Sequence, residues 1–132
     1  MELADTYSAS IFAAGAMATL MLLQVLVVDV VGITSGHKPG HAIEADHDKL
    51  VFRVSRTVAN TNESIAVFIL GLAFCLLVGA SPTYTAAAAW LYVASRALYA
   101  LFYYGNIKLA RSISFGFSLV ALLALVATGF FG

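Results

Sequence analysis

Arg53, Arg56, Asn60 and Glu63 follow one another at intervals of three, four and three residues. In a helix turning about 100° per residue they fall within an arc of about 80°. A second set, Arg96, Tyr99 and Tyr103, is spaced three and four apart and covers about 60° on the same geometry. Arg111 follows after a short break. Guanidiniums pair with carboxylates in bidentate fashion. A carboxylate such as Glu63 takes an ammonium or a backbone amide, and a carboxamide such as Asn60 both donates and accepts. Brought together, these groups suit a small zwitterionic ligand with an excess of negative charge. A plainer arrangement is equally open, with Glu63 neutralising Arg56 or Arg96 and the tyrosines forming an aromatic belt at a membrane surface.

Composition dictates what must position these groups. Apolar residues are 61% of the chain and charged residues 11%, and mean hydropathy is +0.92. A soluble domain carries about 25% charged residues, so this chain has too little polar side chain to cover a globule in water. Its class is therefore all-α integral membrane, as a single domain over residues 1–132. A spanning helix needs about 20 mainly apolar residues. Four stretches are read as spans, over about 7–33, 49–79, 85–104 and 108–131, with a polar loop over about 34–48. Short connections make successive helices antiparallel and predict an up-down four-helix bundle. Ser81 or Thr83 is placed to cap the third helix. The acidic start MELADTY lacks the positive region of a signal peptide, so the first apolar stretch is expected to be retained.

Charge sets the expected orientation. Lys38, Lys49, Arg53 and Arg56 lie at or near the first connection and Lys108 and Arg111 at the third, while the second, GASPTYT, carries no charge. The positive-inside rule then puts the first and third connections in the cytoplasm and both termini on the opposite side. Zero net charge gives no basic face for nucleic acid. His37, His41 and His47 sit in a loop that reads as solvated, so no metal site is expected. GHKPGH lacks the P-loop pattern, and Cys75, the single cysteine, reads as a buried small hydrophobe. Asp29 calls for a cation from within the bundle, Arg53 or Arg56. Small residues in the first span (Ala13, Ala14, Gly15, Ala16, Ala18) allow close helix contact, within the chain or about an oligomer axis.

The segment FRVSRTVANTNESIAVF resembles the second helix of the MAPEG proteins, the membrane-associated proteins in eicosanoid and glutathione metabolism. Their pattern R-x-x-R-x-x-x-N-x-x-E is met by Arg53, Arg56, Asn60 and Glu63. Their third-helix pattern R-x-x-Y-x-x-x-Y, followed by an arginine, is met by Arg96, Tyr99, Tyr103 and Arg111. Length, span count and loop placement extend the resemblance over the whole chain, which looks like a compact bacterial member. The resemblance implies a homotrimer in a membrane, the inner one in a bacterium, with glutathione bound between subunits near the cytoplasmic face. Arg56, Asn60 and Glu63 would hold the peptide, Tyr99 and Tyr103 would bind from the third helix, and Arg53 and Arg96 would support them. Arg111 would stand nearest the sulfur, as an arginine does in leukotriene-C synthase, and stabilise the thiolate.

Three features depart from the family. Members that use glutathione often carry an arginine near the end of the first helix, where this chain reads DVVGITSG and offers Lys38 as a substitute. Tyr103 and Tyr104 can exchange roles, since the spacing to the loop arginine varies. Phe115 stands where some members place a tyrosine. The activity the resemblance implies is glutathione-dependent transfer to a hydrophobic electrophile, or reduction of a lipid hydroperoxide, with the greasy substrate delivered from membrane lipid. The alternative is a non-enzymatic accessory protein of the same fold that binds lipid or glutathione. A transporter is the weaker reading, because the outer half of each helix lacks polar residues to continue a path.

Overall fold

A computed structural model describes residues 2–132 of the chain. A five-residue helix, α1 (Glu2–Thr6), precedes four long ones: α2 (Ser8–Thr34), α3 (Leu50–Val78), α4 (Pro82–Tyr104) and α5 (Lys108–Phe131). No strand is present among the described residues. At about 1.5 Å per residue the long helices extend about 35–44 Å, against a hydrocarbon core of about 30 Å. Three of them, α2, α3 and α5, are both long and apolar enough to cross a membrane, with mean hydropathies of 2.3, 2.0 and 2.2. The fourth, α4, has the length but falls short in apolarity, because Thr85, Ser95 and Arg96 lie in its sequence. All three are buried against the other helices.

The turns explain the boundaries. Gly79 ends α3 at φ 70°, a left-handed conformation that a side chain would strain. The Ala80 amide then donates back to the Cys75 carbonyl. Ser81 caps α4 through its hydroxyl and Pro82 occupies the first helical position, so the helix begins there and not at residue 85. The Tyr7 hydroxyl donates to the Ala80 carbonyl and Trp90 Nε1 to the Ala9 carbonyl (3.0 Å), fastening the start of α2 to this turn and to α4. Asn106, at φ 57°, makes the α4–α5 reversal, closed by the Ile107 amide on the Phe102 carbonyl.

Contacts between helices give the layout. α4 and α5 pair most extensively, α3 packs on both, and α2 lies against α3 and α4 with no substantial contact to α5. Phe68 stacks on Tyr92 with ring centroids 4.6 Å apart, and Met17, Leu72 and Leu125 fill the core around them. The Cys75 thiol, fully buried, donates to the Leu125 carbonyl. The outer surface carries many large apolar side chains. Phe12 is 72% exposed, Ile33 78% and Leu77 82%. Side chains of that size at that exposure belong in lipid or against another chain. Of the small residues in α2, Ala13 is buried in the core, whereas a Cβ on Gly15 would meet open space.

A candidate polar cleft at the basic end of the bundle

The first turns of α3, the last turns of α4 and the first turns of α5 meet at one end, the end that carries Lys49, Arg53, Lys108 and Arg111. Between them opens a cleft of about 280 Å³, lined by Arg56 and Asn60 from α3, Tyr99 and Tyr103 from α4, and Arg111, Ser112 and Phe115 from α5. A larger hollow of about 540 Å³ lies under the α2–α3 connection, beside Thr34, Ile43 and Lys49. Its one ion pair, Lys49 with Glu44 at 2.7 Å, is exposed on both sides. The hydrogen bond and charge of Glu44 hold the Lys49 ammonium above its ordinary pKa. The polar side chains of that hollow, Thr34, Ser35, His37, Glu44 and Lys49, belong to the connection and the helix ends beside it. The smaller cleft draws cations, phenols and a carboxamide from three helices and is the candidate site.

Helical periodicity explains who meets whom. Arg56, Asn60 and Glu63 occupy successive turns of one face of α3. Arg56 Nη1 lies 3.4 Å from Glu63 Oε1, and Asn60 Nδ2 lies 3.5 Å from Glu63 Oε2. Both contacts are long and solvent-exposed, so they contribute little to stability and leave Glu63 free to exchange partners. Asn60 Oδ1 is buried with no hydrogen-bond partner among the described residues. On α4, Tyr99 and Tyr103 meet edge to face at 5.6 Å. The Arg111 guanidinium sits 4.4 Å over the Tyr103 ring, and Arg96 sits 4.2 Å over Tyr99. Each cation is thereby held by an aromatic face and keeps hydrogen-bond donors for another partner.

Arg96 is fully buried behind Tyr99, not on the cleft wall. Its Nη2 donates to Thr61 Oγ1 at 3.0 Å, while Nε and Nη1 have no partner among the described residues. Arg53 is also outside the cleft. Its Nε donates to the Tyr104 carbonyl (3.2 Å) and its Nη1 to the His47 carbonyl (2.8 Å), so it clamps the α2–α3 connection to the end of α4. Tyr103 lines the cleft, whereas the Tyr104 hydroxyl points elsewhere and finds no partner among the described residues. Lys38 is exposed in the connection and forms no part of the cleft wall.

One expectation needs correction. Asp29 pairs with neither Arg53 nor Arg56, because it lies on the exposed side of α2, beside His37 and Ile43, while those arginines are engaged elsewhere. His47 is exposed in the loop, as expected, yet it is not free there. Its Nε2 lies 3.0 Å from the Tyr103 hydroxyl, which brings it to the edge of the cleft. It stands three residues before Leu50, where Asp46 turns the chain into the helix, but nothing in that local pattern points to Tyr103. Ser112, next to Arg111, was also not singled out, and nothing but its neighbour pointed to it.

Membrane-length helices around a cation-rich cleft at one end define an integral membrane protein of the all-α class. Residues 10–131 match the model of the MAPEG family, and the chain belongs to that family. Membership suggests a membrane-bound, glutathione-related transferase or synthase function. No curated protein matches the chain.

Proposed function

We infer that the chain is a glutathione-dependent membrane transferase that also reduces lipid hydroperoxides. One observation carries this reading: Arg56, Asn60, Tyr99, Tyr103 and Arg111, from three helices, surround a single cleft in which guanidiniums outnumber carboxylates. Glutathione bears two carboxylates, an ammonium and a thiol. Arg56 and Asn60 suit its carboxylates and amides, and Glu63 its ammonium, exchanging the long contacts it makes to them in the free protein. Arg111 is the group for the sulfur.

A free thiol has a pKa of about 8.5, so little of it is the nucleophilic thiolate at neutral pH. Lowering that value by about two units takes about 2.7 kcal/mol. Unit charges about 4 Å apart interact by about 4 kcal/mol at an effective dielectric of about 20, so one guanidinium suffices. The thiolate attacks a hydrophobic electrophile, forming a carbon–sulfur bond as the leaving group departs. With a hydroperoxide it takes the outer oxygen and releases the alcohol. A second glutathione then displaces water and forms the disulfide.

The apolar partner arrives through lipid. Leu109, Ile113 and Phe117 present an exposed apolar stripe on α5 next to Arg111 and Ser112. The working form is a homotrimer with four spans per copy, α4 crossing with its polar side turned inward. The basic end faces the cytoplasm, both termini face away from it, and a neighbouring copy closes the cleft. One observation favours the accessory-protein reading: Lys38 is remote from the cleft, so no cation from the end of α2 reaches it within one chain. The test is an ultraviolet difference spectrum of the detergent-purified protein with glutathione at neutral pH. A thiolate band supports the enzyme. Thermal stabilisation without the band supports the accessory protein, and neither effect removes glutathione from the account.

A further inference from the structure

We propose that His47 is a positioning residue of this cleft, donating its Nε2–H to the Tyr103 oxygen and so turning the Tyr103 proton toward the bound ligand. The inference rests on the glutathione reading for the ligand's identity, but its geometry belongs to the protein alone. His47 is exposed but touches both neighbouring rings and is fixed through its backbone. Its ring lies nearly parallel to Tyr103, 5.9 Å away and tilted by 10°, with Nε2 3.0 Å from the hydroxyl. Phe52 meets it edge to face at 4.9 Å. Arg53 Nη1 grips its carbonyl at 2.8 Å. Asp46 builds the turn that carries it, accepting from the Asp48 amide through Oδ1 (3.0 Å) and from the Lys49 amide through its carbonyl (3.1 Å).

The direction of the hydrogen bond follows from the charge of the cleft. A phenol has one proton, and Tyr103 either gives it to His47 or keeps it for the cleft. Were Nε2 the acceptor, the Tyr103 lone pairs would face the ligand. Arg56 and Arg111 line this cleft and Arg111 covers the Tyr103 ring, so the molecule that fits is anionic. Lone pairs would repel an anion, and a phenol proton would bind it. A histidine that carries its proton on Nε2 donates to Tyr103 and leaves the phenol free to donate in turn. The α2–α3 connection thus contributes to the site without touching the ligand.

Two measurements test this. In protein with ¹⁵N-labelled histidine, the His47 Nε2 resonance should show a bound proton and should move in Tyr103→Phe. A bare Nε2 overturns the proposal whether or not glutathione binds. Glutathione titrations then compare wild type, His47→Phe, His47→Gln, Tyr103→Phe and the His47→Phe/Tyr103→Phe pair. His47→Phe and Tyr103→Phe should each weaken binding about fivefold, about 1 kcal/mol at 1.4 kcal/mol per tenfold. The pair should do no worse than either alone, and His47→Gln, which keeps a donor, should stay within about twofold of wild type. Unchanged binding in His47→Phe, or losses that multiply in the pair, would overturn it. Wild type with a protonated Nε2 that binds no glutathione upholds the His47–Tyr103 polarity and overturns the ligand assignment instead.

Discussion

Replacing Arg111 by alanine separates thiol activation from thiol binding. Arg111 is half-buried at the start of α5 and held over Tyr103 at 4.4 Å, with no carboxylate partner among the described residues. Its charge is therefore available to whatever enters the cleft. If it lowers the bound thiol from about 8.5 to about 6.5, the thiolate fraction near neutral pH is about 0.75, against about 0.03 without it. Arg111→Ala should then lose about 25-fold in thiolate absorbance and in turnover at saturating glutathione. The sign with pH follows. A depressed pKa keeps thiolate present down to the lowered value, so the wild-type rate should hold to about pH 6.5 and the variant's should fall below about pH 8.5. Above that range the two should converge. Arg111→Lys should recover part of the loss, since it keeps a charge but not the planar face on Tyr103. The assay is stopped-flow absorbance with glutathione, followed by a pH–rate profile with a soluble electrophile. An unshifted profile in Arg111→Ala, or a loss confined to glutathione affinity, would refute the role.

Asn60→Ala and Glu63→Gln should have the opposite signature. Each should weaken glutathione binding about tenfold, about 1.4 kcal/mol, while the thiolate fraction of the bound ligand stays within about twofold of wild type. Isothermal titration and the thiolate band, read on the same samples, check this. Arg53→Ala removes the clamp on the Tyr104 and His47 carbonyls. Hydrogen bonds from a charged donor are worth about 1.5–3 kcal/mol when buried and less here, where one bond is exposed, so a loss of about 1–2 kcal/mol is expected. Hydrogen exchange should accelerate over residues 44–50 and leave the distant turn at 79–82 unchanged.

The long helices, the bilayer and the family were legible because each depends on properties that sum along the chain. Hydropathy, period and two spaced motifs survive errors at single positions. What a helical period cannot supply is the neighbour that each stripe meets. Arg53 and Arg56 share a face of α3, yet one grips backbone carbonyls and the other lines the cleft, because the α2–α3 connection returns across the first turn only. Tyr103 and Tyr104 differ by about 100° around α4, and only packing decides which of them faces α5. Asp29 was expected to point inward by the rule that charges in a membrane seek partners. Its position depends on the rotation of α2, whose surface is nearly uniform in hydrophobicity and gives no cue to its inner side. His47 lay beyond reach for another reason. Its contact with Tyr103 spans 56 residues, and no local pattern encodes it.

The shortfall in α4's apolarity and the existence of the cleft have one physical origin. A helix packed against neighbours on most sides need not be apolar to lie in a bilayer, provided its polar groups are satisfied within the bundle. The Ser95 hydroxyl bonds Ser118 at 2.9 Å, the Tyr92 hydroxyl bonds Ser64 at 2.7 Å, and Arg96 takes Thr61 and the face of Tyr99. Polarity therefore runs along the inner side of α4 and ends at Tyr99 and Tyr103, where the cleft opens. Arg96 is the outlier in that series. A buried guanidinium with two unpartnered nitrogens and no carboxylate in contact among the described residues is costly, by several kcal/mol for an isolated charge. Such a cost is tolerated where a nearby group can turn toward it. Glu63, exposed and held to Arg56 and Asn60 by contacts of 3.4 and 3.5 Å, is the one carboxylate on the adjoining face of α3. A ligand carboxylate taking Arg56, with Glu63 passing to the ligand's ammonium, adds negative charge on the side of α3 that adjoins Arg96. On that account the site's excess of positive charge is the condition under which an anionic ligand gains from entering it.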